Sequence, residues 1–389
     1  MSNYSTQIKR IKEKFNQAKG IDSEFKVFGA SSHQYQLGRT VTAKEIEKFE
    51  TKYNITLPQA YKVFIQETSG ISAFKPKRNQ ADKLVPAPDY GLFTFDNIFD
   101  HTLTREFEDN MHKPSIIYPY ITHKEWEDME DDGFNGLFPL GNQGCTFIYA
   151  LVLNGKYKGR VVYLDMDYSE PFFTYEDNFL DWYERWLDEI IDGTLLQKNV
   201  YSFANTMQGN EKELIAKLRH EEDNNIKLSL VKSLWKFKTL EDSSIEILLE
   251  YLNSDEKTLY YQAVSLLTKH RYPLIKDELE RMIYRDEESC QVAYNMLTLY
   301  ARKHVLDWVD ISLERLKTIN ERNTFNEITM LLDIAKYDYS KDILPLQEKE
   351  EFKTLVPYTI RQMRGEPIAH QGISKLHRFY RTIKRVFGR

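Results

Sequence analysis

Six carboxylates fall within eight residues at Glu125, Glu127, Asp128, Glu130, Asp131 and Asp132, interrupted only by Trp126 and Met129. Such side chains can hold a divalent ion, move protons or attract a basic partner. His101, His112 and His123 recur every eleven residues around the run, without the i, i+4 placement that sets two zinc ligands on one helix face. They read as surface or turn histidines. Asp165-Met166-Asp167 has the DxD form of the glycosyltransferase metal site, yet such pairs are common at strand ends and no donor-binding fold surrounds this one. Cys145 follows Gly144 with no base nearby to activate it, and it reads as a small side chain at a strand start. No GxGxxG, Walker A or GxSxG run occurs. No catalytic residue, metal ligand or cofactor is predicted.

Attraction of a basic partner is left. A nuclease needs a basic surface to grip phosphates, so clustered carboxylates can mimic nucleic acid and occupy that surface. Long-range attraction of this kind raises association rates by roughly 10- to 1000-fold. Glu125, Glu127, Asp128, Glu130, Asp131 and Asp132 are the candidate contacts, with Trp126 as the candidate buried anchor. The competing reading is a solvated helix or loop with Trp126 turned into the core.

Residues 41–193 hold 27 Asp+Glu against 15 Lys+Arg, a net of −12, whereas residues 367–389 hold six Lys+Arg and no acid. The acidic part should repel nucleic acid and draw basic proteins. Glycine (16) and proline (12) are scarce among 389 residues, so short loops and many helices are expected. The two cysteines are far apart and suit a reducing compartment. No stretch approaches the roughly 18 apolar residues of a membrane span, and "MSNYSTQIKRIKEKF" has no signal-peptide pattern. A soluble, cytoplasmic protein without stable membrane insertion is expected.

The elements that must position the run lie on either side of it. In "VTAKEIEKFETKYNITLPQAYKVFIQETSG", Thr42 and Glu45 have capping-box spacing, Val41 and Ile46 staple spacing, and Ile46, Phe49 and Tyr53 share a helical face. Pro58 opens a second helix that Gly70 stops. "CTFIYALVL" and "GRVVYLDMD", joined through Asn154-Gly155, predict a hairpin. "NFLDWYERWLDEIIDG" puts Phe179, Leu180, Tyr183, Trp186, Leu187, Ile190 and Ile191 on one stripe, which should cover a sheet face. Helices, then strands, then a closing helix describe an α+β domain.

Taken in order, "EIEKFETKYNITLPQAYKVFIQETSG", "GLFPLGNQGC", "YLDMD", "PFF" and "NFLDWYERWLDEI" resemble the SUKH superfamily over about residues 40–192. In this resemblance "GLFPLGNQGC" is a glycine-rich turn before the first hairpin strand. It implies an antiparallel sheet with flanking helices and the role of an immunity protein against polymorphic or contact-dependent toxins. It implies no active-site residue.

From about 205 to 350 the strand signal disappears and an acid recurs at Asp223, Asp255, Asp286 and Glu321, spaced by 32, 31 and 35 residues. Each is followed eleven residues later by leucine, at Leu234, Leu266, Leu297 and Leu332. The segment resembles HEAT-like repeats, whose stacked helix pairs offer a binding surface. Finally, "ISKLHRFYRTIKRVFGR" sets Ile373, Leu376, Tyr380, Ile383 and Phe387 on one face, with Arg378, Arg381, Lys384 and Arg385 largely opposite. A basic amphipathic helix of this kind can cap the helical array, lie on an anionic membrane or enter an acidic groove.

The expected organisation is a helical leader over 1–35, a SUKH-like α+β domain over 36–198, an all-α HEAT-like domain over 205–350 and a basic helix over 367–389. The expected function is stoichiometric, non-catalytic neutralisation of a basic, nuclease-like toxin. The alternative is a regulatory scaffold that binds a host protein.

Overall fold

A computed structural model of the protein describes residues 3–73, 84–167, 169–197 and 203–366. The amphipathic segment at 367–389 lies outside the described residues. The chain divides into two compact units, Met1–Gln208 and Gly209–Arg389.

The first unit runs α1 (Asn3–Ile21), α2 (Ala30–His33), α3 (Ala43–Tyr53), α4 (Gln59–Glu67), β1 (Gly91–Leu92), α5 (Arg105–Glu108), α6 (His123–Met129), β2 (Leu137–Gly144), β3 (Phe147–Val152), β4 (Val161–Asp165), β5 (Phe172–Phe173) and α7 (Phe179–Ile191). Its five strands form an antiparallel sheet in sequence order. This is the α+β arrangement expected from the order of elements.

Local chemistry explains the first helices. Thr42 and Glu45 make both halves of the capping box that starts α3. Along α3, Phe49 packs on Tyr53 at 4.6 Å and on Phe138 of β2 at 5.9 Å, joining helix to sheet. Pro58 occupies the cap position of α4, where its missing N–H is not needed.

The segment "GLFPLGNQGC" departs from the expected turn. Most of it is β2, paired with both β1 and β3. Pro139, Gly141 and Gly144 weaken any strand propensity, and the strand accommodates them with register shifts at Pro139/Gly141 and Asn142/Gly144. Gly141 is required by packing, because a Cβ there would lie 2.4 Å from both the Tyr149 ring and the Gly91 carbonyl oxygen.

Helix α7 is buried nearly all round, beyond the expected stripe, and includes Trp182, Glu184, Arg185 and Glu189. Its sheet-facing Trp182 meets Tyr149 at 5.2 Å. On another side α1 covers it: Lys14 of α1 lies 2.8 Å from Glu184 and 2.7 Å from Asp188, and Arg10 forks onto Glu184. Ile8, Ile11, Phe15 and Ala18 of α1 belong to the same core, so the N-terminal segment packs as an integral layer of this unit.

The Arg185 side chain is 1% exposed, with Glu176 at 2.7 Å and Glu189 at 2.8 Å. It also donates to the carbonyls of Phe203 and Thr206, holding the chain after α7 against the unit. Burial disfavours the guanidinium charge; the two carboxylates outweigh it, so the pKa is raised.

The second unit is all-α among its described residues: α8 (Glu211–Leu218), α9 (Asn224–Ser233), α10 (Asp242–Glu250), α11 (Lys257–Arg285), α12 (Glu287–Tyr300), α13 (Val309–Leu316), α14 (Arg322–Ile334) and α15 (Leu355–Met363), with short 3-10 turns between. Helix α11 breaks at Arg271 (φ −146°, ψ 49°), two residues before Pro273, which gives it two helical segments. The recurring acid has a physical reason. Asp223 and Asp286 cap α9 and α12 through their side chains, and Glu321 holds the cap position of α14. In α11 the cap is Glu256, one residue after Asp255. Leu234, Leu266, Leu297 and Leu332 are each 0% exposed.

Candidate functional site

The acidic run begins as a helix because Thr122 caps it. Thr122 N–H donates to Glu125 Oε2 at 2.8 Å, and Glu125 N–H donates back to Thr122 Oγ1 at 3.3 Å, a second capping box in this unit. Thr122 holds the Glu125 carboxyl below its ordinary pKa, and the Tyr118 hydroxyl adds to this. Glu125 therefore has a structural task at the helix start as well as a charge.

Glu125, Glu127, Asp128 and Asp132 are exposed. Glu127 lies 3.0 Å from His123 Nε2, and Glu170, from the loop between β4 and β5, lies 3.2 Å from His123 Nδ1. The fold thus brings Glu170 to His123 of the acidic helix from 47 residues further along the chain. Glu130 and Asp131 continue in the 3-10 turn Glu130–Phe134, where Asp132 accepts from Asn135 Nδ2 at 2.9 Å.

Trp126 requires a correction as the candidate contact. It is 4% exposed, stands edge-on to Phe134 at 5.6 Å, and presses on Gly133, where a Cβ would sit 2.3 Å from its ring. A partner cannot reach this indole while the unit is folded. The exposed aromatic beside the acidic helix is Tyr120, two residues ahead of the cap, 48% exposed and held at φ +65°. A bulky side chain is uncommon in that backbone region and costs about 1–3 kcal/mol there. Nothing in the one-dimensional pattern marks it.

The other candidates have local partners. Asp165 is 8% exposed and accepts from Thr146 Oγ1 and from the Asp167 N–H, each at 3.1 Å, so this DxD closes a turn. His101 caps a 3-10 turn through Leu103 N–H and packs on Phe93. Cys145 is exposed at the turn between β2 and β3, and Cys290 is buried with its thiol pushed up to about 11. Among the described residues no group of three or more His, Cys, Asp or Glu is placed to hold a metal ion. No described helix is long and apolar enough to cross a membrane.

A five-stranded antiparallel sheet flanked by helices, with acidic side chains on one exposed helix, defines the class of the first unit as an α+β domain. Residues 40–185 match the model of the SMI1 / KNR4 family (SUKH-1). No curated protein and no solved structure matches the chain.

Proposed function

We propose that the protein is a cytoplasmic immunity protein that binds a cognate polymorphic or contact-dependent toxin, with a basic nuclease domain as the target, and neutralises it stoichiometrically without catalysis. The observation that carries the reading is the exposed face of Glu127 and Asp128 on α6, extended by Glu170, on a domain with a SUKH-1 match. Carboxylates so placed steer a basic surface into contact, and Tyr120 supplies the aromatic anchor that Trp126 cannot. The helical second unit, read as a HEAT-like array, enlarges the contact toward the roughly 1,200–2,000 Å² of a stable complex.

The test is co-expression with the products of neighbouring reading frames, scored by rescue of growth and by co-purification. A captured toxin should associate about 10-fold more slowly at low salt with the E127Q/D128N/E170Q variant, and with a flatter salt dependence. Unchanged rates would remove this face from the mechanism; absence of any rescued toxin would remove the immunity role.

A further inference from the structure

The chain ahead of the acidic helix forms an unpaired edge. Residues 114–118 carry no helix, strand or turn, and Pro114 and Pro119 hold the residue before each in extended backbone. Burial alternates as along a strand: Ile117 and Ile121 are buried, whereas Ile116 and Tyr120 are 44% and 48% exposed. Asn154, in the turn between β3 and β4, fixes which way the backbone faces. Its Oδ1 accepts from the Ser115 N–H at 2.7 Å, and its Nδ2 donates to the Lys113 carbonyl at 2.9 Å. Alternate residues of an extended chain turn their N–H and C=O groups to the same side and their neighbours to the other. Ile116 and Tyr118 therefore face away from that turn, and the backbone of neither has a hydrogen-bond partner among the described residues.

The two ends of this edge carry opposite charge. At its start lie Lys113, Lys156 and Lys158, all exposed, the last two in the turn that holds Ser115. At its finish α6 presents Glu127 and Asp128, and His123 draws in Glu170 at 3.2 Å. The sheet keeps the ends apart, because the turn with the lysines precedes β4 and the loop with Glu170 follows it. A strand edge with free N–H and C=O groups, an apolar outer face and opposite charges at its ends is complementary to an antiparallel copy of itself.

We infer that this edge pairs with the same edge of a second copy of the chain. With Ile117 on the twofold axis, Ile116 lies opposite Tyr118 of the second copy, and the two residues exchange both of their backbone hydrogen bonds. Their side chains then meet on the outer face as a β-branched and aromatic pair. Pro119, which has no N–H, and Tyr120, at φ +65°, end the pairing and fix its register. Antiparallel pairing brings the lysines of each copy to the carboxylates of the other. Glu127 and Asp128 also serve the proposed capture, so a basic toxin competes with the second copy for them.

Sedimentation of the full-length protein over a range of concentrations provides the test and needs no toxin. The wild type should be a dimer, and Ile116→Pro, which removes a donor from the edge, should raise the dissociation constant at least about 10-fold. Two charge-reversed variants carry the sharper comparison. K113E/K156E/K158E has two acidic ends and E127K/D128K/E170K two basic ends, so each alone should be monomeric. Mixed in equal amounts they should form a one-to-one heterodimer, which about 0.5 M salt weakens. A wild type that stays monomeric at about 100 µM overturns the inference. So does a dimer that neither reversal disturbs, which would lie on another face, and so does failure of the two folded variants to pair when mixed.

Discussion

Glu287, the first residue of α12, accepts a hydrogen bond from the hydroxyl of Thr324, the third residue of α14. Glu211 and Ser244 stand in the same relation at the starts of α8 and α10. A carboxylate at one helix start thus ties the start of a helix in the next layer, and the contact recurs because the layers stack in similar register. Glu287 also lies 3.3 Å from Arg315 Nη2 and from the Asn320 N–H. The expected cost of Glu287→Ala is about 2 kcal/mol, and a cycle with Thr324→Val should give a coupling of about 1 kcal/mol. Urea unfolding of the four proteins measures it. Strict additivity would show that the two side chains do not act together.

The helix starts that carry such contacts were legible wherever the determinant is local. Thr42 and Glu45 spell a capping box and form one, and Asn154-Gly155 marks a hairpin that joins β3 to β4. Thr122 and Glu125 have the same spacing as the first box, so a reading of the acidic run as charge alone overlooks the helix it starts. Strand β2 is hidden for the opposite reason. Its proline and glycines argue against a strand, and only the neighbouring strands, through the Tyr149 ring and the Gly91 carbonyl, explain Gly141. Burial of Trp126 and the outer face of α7 depend on Phe134 and on α1, contacts that no periodicity within one helix can reveal. Glu170 joined the candidate site for the same reason: its position is set by the sheet.

Glu327 gives the second unit a pH-dependent stability of defined sign. Burial pushes its carboxyl up to about 7, with a hydrogen bond from Asn295 acting in the opposite direction. The folded state then holds a proton that the unfolded state, with an ordinary pKa near 4.5, releases earlier. Stability contributed by the neutral group is full below about pH 4.5 and is lost as pH rises through about 7, by roughly 3 kcal/mol in total. Glu327→Gln should therefore leave stability nearly unchanged at pH 4.5 and raise it at pH 8, when each is compared with wild type by denaturant titration. A difference that is the same at both pH values would mean that Glu327 does not titrate in this window.

Tyr120 and Trp126 separate contact from architecture at the acidic helix. Trp126→Ala removes a buried ring packed on Phe134 and Gly133 and should cost about 3–5 kcal/mol, with capture of a toxin lost only in proportion to unfolding. Tyr120→Gly acts the other way. It relieves a backbone held at φ +65°, so stability should hold or rise by up to about 1 kcal/mol, while dissociation of the captured toxin quickens by about 10-fold or more as the exposed ring is lost. Thermal melts and dissociation rates on the same two variants decide the matter. If Tyr120→Gly melts earlier and releases the toxin no faster, the strained tyrosine serves the fold, and the acidic helix captures its partner by charge alone.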